Sequence, residues 1–230
     1  MMTDYKLEAA KAALHLIKPG QTIGVGAGTT VAHLVAMISG DSELWPTLIL
    51  TSSSFKTTLL LQQYGLKVQP PALLNQLDIY FDGCDQFDEE LNALKSGGGI
   101  HTTEKILAAM ALEFILIGDE SKFSEVLDTI YPLVVEILPQ ALQFVLARLV
   151  TEFPEAKITL RIASQKDGAL ISDNGNMLAD IYFAQPVAAD KLNQQVKMIP
   201  GIVEHSLFYR MASKALVAGE TGIKTIMPVY

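Results

Sequence analysis

Asp82, Asp85, Lys95 and Glu104 are the residues of this chain whose types and spacing suit proton transfer. Two carboxylates stand three apart in Asp82-Gly83-Cys84-Asp85, a cation opens Lys95-Ser96-Gly97-Gly98-Gly99, and a third carboxylate follows in Thr102-Thr103-Glu104-Lys105. Carboxylates that close can share a ligand or shift one another's proton affinity. A lysine beside a flexible glycine backbone can wrap an oxyanion. Together they supply the acid, base and cation that proton abstraction next to a carbonyl needs. Each also has a plainer role. Asp and Gly build turns, a lysine before a loop can be solvated, and a glutamate in the first turn of a helix capped by Thr102 or Thr103 is favoured by the helix dipole alone.

A second candidate site is Gly24-Val25-Gly26-Ala27-Gly28-Thr29-Thr30. Glycines permit close backbone approach, and the helix that follows offers unpaired N–H groups to a phosphate. It can equally be a tight strand-to-helix turn with Thr29 or Thr30 as N-cap. No Gly-Lys-Ser/Thr follows, so it is not a Walker loop, and the dinucleotide fingerprint lacks its third glycine. The hydroxyl cluster Thr51-Ser52-Ser53-Ser54 offers polar ligand contacts or a cap for the helix after it. His15, His33, His101 and His205 are scattered, and no serine or cysteine has a base partner, so triad chemistry is unsupported. No histidine or further carboxylate has metal-ligand spacing around Asp82 and Asp85. Cys84, hemmed by those two acids, reads as a small packed residue whose thiolate is disfavoured.

The elements that position these groups alternate. Leu7 to Ile17 is apolar at helical spacing and stops at Lys18-Pro19-Gly20. Strands are expected at 22–25, 48–51, 66–68, 79–81 and 114–118, with helices at 31–38, 55–64 and 105–113 between them. This predicts an α/β fold: a Rossmann-like parallel-sheet domain with helices on both faces. After Asp128 the pattern becomes βαββα, with a strand at 133–138, a helix at 140–150, strands at 157–163 and 177–183, a hairpin turn at Asp173-Asn174-Gly175-Asn176, and a helix at 186–196. That predicts a smaller α+β domain at 131–201 inserted into a catalytic domain formed by 1–130 and 202–230. The expected site then lies at a sheet edge, where open α/β sheets bind small molecules.

Composition narrows the partners. Half of the 230 residues are hydrophobic and 18% are charged, which suits a well-buried globular protein. A net charge of -8 argues against a nucleic-acid surface, yet leaves room for a local cationic pocket that binds an anion. The single cysteine excludes an internal disulfide framework and fits a reducing compartment. The N-terminal segment is amphipathic, and the longest apolar tracts are interrupted by Glu113, Glu136, Pro139 and Arg148. A cytoplasmic protein without membrane partner is therefore expected.

The ordered motifs resemble those of type A ribose-5-phosphate isomerase. They are Gly24 to Thr30, Thr51 to Ser54, Asp82-Gly83-Cys84-Asp85, Lys95-Ser96-Gly97-Gly98, Glu104-Lys105, Asp119-Glu120-Ser121-Lys122, Asp173 to Asn176 and Ile199-Pro200-Gly201-Ile202-Val203-Glu204. The resemblance implies interconversion of D-ribose 5-phosphate and D-ribulose 5-phosphate in the non-oxidative pentose phosphate pathway, with neither metal nor organic cofactor, by a homodimer or homotetramer. Glu104 would move the proton between C2 and C1 through an enediolate, Asp82 would assist ring opening, Asp85 would orient hydroxyls, and Lys95 would stabilise the oxyanion. Ala27, Gly28, Thr29, Thr30, Gly83, Cys84, Ser96, Gly97, Gly98 and Lys122 would hold substrate. The chain departs from the family's usual pattern at Ala27 (commonly threonine), Ser96 (glycine), Gln86 (an acid) and Thr103 (arginine). A serine at 96 would be strained if the position needs a positive φ. Two alternatives follow from the same motifs: a paralogue acting on another aldose phosphate, and a non-catalytic sugar-phosphate-sensing domain.

Overall fold

The computed structural model describes residues 3–165 and 167–229; Met1, Met2, Lys166 and Tyr230, which the expected domain ranges include, lie outside the described residues. The first half of the chain runs α1 (Tyr5–Leu14), β1 (Thr22–Val25), α2 (Thr29–Gly40), β2 (Ile49–Ser52), α3 (Phe55–Gln63), β3 (Leu77–Asp82), β4 (Gln86–Phe87), β5 (Ala93–Leu94), α4 (His101–Met110) and β6 (Ala111–Asp119). The second continues β7 (Leu133–Ile137), α5 (Leu142–Glu152), β8 (Lys157–Leu160), β9 (Met177–Tyr182), α6 (Ala189–Lys197), β10 (Ile202–His205), β11 (Leu207–Phe208), β12 (Lys214–Gly219) and β13 (Gly222–Ile226).

Six strands form the main sheet in the order β13-β12-β6-β3-β1-β2, parallel except for the antiparallel edge strand β13. Its central strands are buried on both faces, so residues alternate between two cores. Ile23, Val25, Ile79, Phe81, Ile115 and Ile117 pack with the helices α1 and α2, whereas Tyr80, Phe114 and Leu116 pack with α4, Phe87 and Phe208. On α1 the buried face is Ala9, Ala10 and Ala13, small residues that let the helix lie close to α2 and the sheet. From β1 the chain passes through α2 to β2 on one side, then through α3 to β3 on the other. The carboxyl ends of β1 and β3 thus flank the point where strand order reverses, the usual crevice of such sheets.

A separate antiparallel sheet, β10-β7-β9-β8, is covered by α5 and α6 through Val145, Leu149, Leu192 and Val196. The α/β class with a smaller α+β unit is therefore present. The expected boundary at 201/202 falls just before a strand of that small sheet: β10 pairs with β7, and the chain returns to the main sheet only at β12. A third sheet, β11-β5-β4, joins the two units, with Leu94 and Leu207 in the small core and Phe208 and Phe87 in the large one.

Two expected elements differ. The strand at 66–68 is a single bridge between Leu50 and Val68. The helix expected at 105–113 begins at His101 and ends at Met110, because Gly99 turns the chain at φ 70° and Ala111 is already extended. No loop separates α4 from β6, so one apolar run spans a helix and a strand. No helix among the described residues is long and apolar enough to cross a membrane.

Candidate active site

Asp82 ends β3 with no solvent exposure, and four groups donate to its carboxylate. Ala27 N–H (3.1 Å) and Gly83 N–H (2.8 Å) reach Oδ1; the Tyr80 hydroxyl (2.6 Å) and Lys95 Nζ (2.9 Å) reach Oδ2. The carboxylate lies so close to the loop after β1 that a Cβ at Gly26 would fall 1.9 Å from it, which explains the glycine. Ala27 keeps its amide in this arrangement, so the contact does not depend on the side chain usual at that position. The same loop ends at Gly28, whose φ of 101° makes it the entry to α2. Neither Thr29 nor Thr30 caps the helix, whose N-cap is Gly28 without a side-chain hydrogen bond; both fall in its first turn. The hydroxyls at 51–54 do serve as a cap: Ser54 Oγ accepts from Thr57 N–H and opens α3.

Lys95 follows β5 and is nearly sealed from water. Its three N–H bonds have three partners: Asp82 Oδ2, Glu104 Oε1 at 3.3 Å, and the Gly83 carbonyl. Burial works against the ammonium, but the two carboxylates outweigh it and hold its pKa above the ordinary lysine value. Glu104, in the first turns of α4, is 5% exposed. Burial raises its pKa to about 8, with Lys95 opposing and the Asp82 charge adding to the rise. Two carboxylates and one ammonium in a dry site thus leave Glu104 poised to gain or lose a proton near neutrality.

The position of Glu104 depends on how α4 is fastened. Lys105 Nζ donates to Glu204 Oε1 (2.9 Å) and to the His205 carbonyl (2.6 Å), and Thr102 bonds Glu136 on β7. Thr102 is therefore a tether to the small sheet rather than a cap; the half-helical residue is Ile100, which has no capping side chain. Burial lowers Lys105 to about 8. Burial disfavours charge on Glu204 as well, yet Lys105 and Lys197 bring it down to about 2, so that pair stays ionic. The motifs around Lys105, Asn174, Asn176 and Glu204 thus hold the helix that carries Glu104. Asn174 and Asn176 share the Glu136 carboxylate with Ser172 and Thr102.

A cavity of about 430 Å³ opens over these groups. Its wall contains Glu104, Lys95, Asp85, Gly83, Cys84, Gly97 and Gly98 on one part, and Ala27, Gly28, Thr29, Thr30, Lys6, Asp119 and Lys122 on another. Asp85 accepts from Ser96 N–H (2.6 Å) and Gly97 N–H (3.1 Å), so it fixes the loop after Lys95. Two expected site residues lie outside the wall. Asp82 is behind Lys95, and Ser96 turns its hydroxyl to the Pro132 carbonyl. Ser96 is not among the positive-φ residues; that demand falls on Gly99, where a Cβ would also meet Leu178 at 2.6 Å. The serine therefore carries no backbone strain. Cys84 is pushed up to about 12, chiefly by burial, with Lys95 opposing, which disfavours its thiolate; the acids beside it contribute less than burial. Among the described residues no three of His, Cys, Asp or Glu converge in a metal-binding group.

The family model for ribose 5-phosphate isomerase A (phosphoriboisomerase A) matches residues 49–222. The chain belongs to this family. It is 37% identical over 229 residues to the ribose-5-phosphate isomerase A of Methanocaldococcus jannaschii, covering 97% of each protein, and 30% identical to that of Prochlorococcus marinus, covering 100% and 99%. The solved structure of the M. jannaschii ribose 5-phosphate isomerase A matches with a TM-score of 0.89 at 35% identity, over 97% of this chain and 98% of that one. A D-ribose-5-phosphate isomerase in complex with phospho-erythronic acid matches with a TM-score of 0.91 at 29% identity, over 98% and 100%.

Three contributors to this isomerase-family site escape sequence reasoning. Lys6 lies on α1, where a lysine on an amphipathic helix looks like any solvated one. Arg161, just past β8, donates to the carbonyls of Ser96 and Gly97 at 3.0 Å each while its guanidinium is held by Asp180. No local pattern links residues so far apart. Tyr80 was readable only as a strand residue, although a polar-tipped aromatic one turn of the pleat before Asp82 is a signal, since a buried tyrosine hydroxyl needs a partner.

Proposed function

We propose that this protein interconverts D-ribose 5-phosphate and D-ribulose 5-phosphate, in the non-oxidative pentose phosphate pathway, by proton transfer through an enediolate. The observation that carries this reading is the buried trio of Asp82, Lys95 and Glu104, with Lys95 and Glu104 in the wall of one cavity and Asp82 behind Lys95. Glu104, as carboxylate, takes the C2 proton of the open-chain sugar; the C2–H electron pair becomes the enediolate double bond as the carbonyl electrons move to O1. The protonated Glu104 then returns its proton to C1. Lys95 stabilises the oxygen that gains charge, a role in which a preorganised cation in a dry site is most effective. All three of its donors have protein partners, and the 3.3 Å contact with Glu104 is the longer of its two carboxylate contacts. A substrate oxygen that takes that donor would turn Lys95 toward the sugar and release Glu104 to act as base.

Asp82, sharing the ammonium with Glu104, assists ring opening and proton movement between the sugar oxygens through that shared group. Asp85 orients hydroxyls from the loop it anchors. The phosphate is assigned to the α2 N-terminus at Gly28, Thr29 and Thr30 together with Lys6 and Lys122, a helix start and two cations that line one cavity of an otherwise acidic protein. The complex with phospho-erythronic acid in a structurally similar isomerase supports a phosphorylated acyclic ligand. We further assign residues 1–130 with the C-terminal strands to a catalytic domain and the intervening α+β unit to a smaller domain. A homodimer or homotetramer in the cytoplasm is proposed, supported by the exposed apolar pair Phe55 and Leu59 on α3.

A coupled assay across several aldose phosphates, with Glu104→Gln as control, tests this. Turnover of ribose 5-phosphate above the others, lost by ~10²-fold or more in the variant, is expected. Preference for another aldose phosphate would assign the chain to a different substrate, and binding without exchange of the C2 proton would make it a sensor.

A further inference from the structure

We propose that Tyr80 and Ser53 are positioning residues that set the orientation and charge of Asp82 through a buried chain of hydroxyl donors, and through Asp82 tune the base Glu104. This rests on the isomerase reading above but concerns residues that reach neither the cavity nor the substrate.

Tyr80 and Asp82 are two apart on β3, so their side chains leave the same face of the strand. The Tyr80 ring has no solvent exposure and stacks on Phe114 with centroids 5.3 Å apart, which fixes where its hydroxyl points. That hydroxyl donates to Asp82 Oδ2 at 2.6 Å and meets Ser53 Oγ at 2.9 Å. A phenol has one proton. With it committed to the carboxylate, the phenol oxygen accepts, so the Ser53 hydroxyl donates to Tyr80 and the chain runs Ser53 to Tyr80 to Asp82. Burial above all, and then the Asp82 and Glu104 charges, hold the Tyr80 pKa well above its ordinary value, which keeps the phenol a donor.

The chain acts where charge is shared. Among the described residues Asp82 Oδ2 accepts from Tyr80 and Lys95, Lys95 divides its charge between Asp82 and Glu104, and the protonated Glu104 carboxyl also hydrogen-bonds the Asp82 side chain. The charged and titratable groups facing this point are Tyr80 from β3, Lys95 from the end of β5, Glu104 from α4 and Cys84 from the turn after β3. Charge-assisted donors of this kind draw electron density from a carboxylate and polarise one another along a chain. Without the Tyr80 donor, more negative charge rests on Asp82 Oδ2, Lys95 is drawn more fully to it, and ionisation of Glu104 becomes harder. The sign is fixed: the Glu104 pKa rises and the acid limb of kcat/KM moves to higher pH.

The test is the ¹³C NMR titration of the Glu104 carboxyl in the full-length protein, alongside the pH profile of kcat/KM, for Tyr80→Phe, Ser53→Ala and the double variant. Tyr80→Phe keeps the ring and its stacking. Its Glu104 midpoint should rise by roughly half a unit or more, which lowers kcat/KM on the acid limb roughly threefold. Ser53→Ala should shift the same way by less, and the double variant no further than Tyr80→Phe, because both substitutions interrupt one chain. Unshifted Glu104 midpoints, or additive shifts in the double variant, overturn the proposal. Should Tyr80→Phe fail to fold by circular dichroism, Ser53→Ala decides alone: a midpoint equal to that of the natural protein overturns it. The titration needs no turnover, so a protein inert toward ribose 5-phosphate would refute the functional reading without affecting this result.

Discussion

Lys95 Nζ lies 3.3 Å from Glu104 Oε1, and both side chains are only 6% exposed. A buried ammonium beside a carboxyl would ordinarily pull that carboxyl down. Here burial and the neighbouring Asp82 charge prevail, and Glu104 is left at about 8. If Glu104 must be ionised to remove a proton, kcat/KM should rise about tenfold per pH unit below 8 and level off above it. A profile flat from pH 6 to 9 would remove Glu104 from the role of base.

The same shift has a consequence for stability. Folding raises the Glu104 pKa from 4.5 to about 8, so the folded state binds the proton more tightly. The stability tied to that proton is fully present below pH 4.5 and is lost as pH rises to about 8. Glu104→Gln, which cannot ionise, should therefore melt at a higher temperature than the natural protein at pH 8, with the gap narrowing toward pH 4.5. Thermal melts at these two pH values check this, and a gap that widens toward acid would reverse the sign. Loss of activity with gain of stability is the pattern expected if this buried carboxyl is the proposed base.

Lys95→Met should be costly on both counts. It leaves Asp82 and Glu104 buried without their shared cation, and removing one partner of such a group destabilises by about 3–5 kcal/mol. It also removes the group proposed to meet the oxyanion, so kcat should fall by ~10²-fold or more. Denaturant unfolding and steady-state kinetics separate the two effects. An Asp82→Asn, Glu104→Gln, Lys95→Met triple variant should regain most of the stability and none of the activity.

How much of this was legible in the sequence depends on distance along the chain. The alternation of Ile79, Tyr80 and Phe81 between two cores follows from the two-residue period of a strand, and the Asp82 turn, the Lys95 loop and the Glu104 helix follow from local composition. The α4 to β6 junction was not legible, because one apolar run serves both elements and only the extended backbone at Ala111 separates them. Nor was the split role of the two aspartates. Asp82 and Asp85 look equivalent in the motif, but the strand buries one against Tyr80 and Lys95 while the turn aims the other at the Ser96 and Gly97 amides. The plainer roles were right where the partner is near, as with Ser54 capping α3, and misleading where it is far, as with Thr102.

Arg161 makes the small unit part of the site. Its guanidinium, held by Asp180, grips the carbonyls of Ser96 and Gly97 from outside while Asp85 grips their amides from within. Arg161→Ala should loosen the loop without touching substrate. Amide exchange at residues 96–99 should accelerate, and kcat/KM should drop roughly tenfold, the scale on which slight misplacement of a reacting group acts. Unchanged exchange at these amides would show that Asp85 alone suffices.

Lys6 and Lys122 reach the cavity from distant parts of the sequence, one on α1 and one just after β6, and line the same cavity as Gly28, Thr29 and Thr30. If this is where the phosphate sits, each lysine contributes binding that is equal in the ground and transition states. Lys6→Ala and Lys122→Ala should then raise KM by about tenfold or more with little change in kcat. Inhibition by inorganic phosphate should weaken in parallel, and its dependence on ionic strength should flatten, since each substitution removes a cation that attracts the anion. A fall in kcat at constant KM in either variant would instead move that lysine from the phosphate to the reacting end of the sugar.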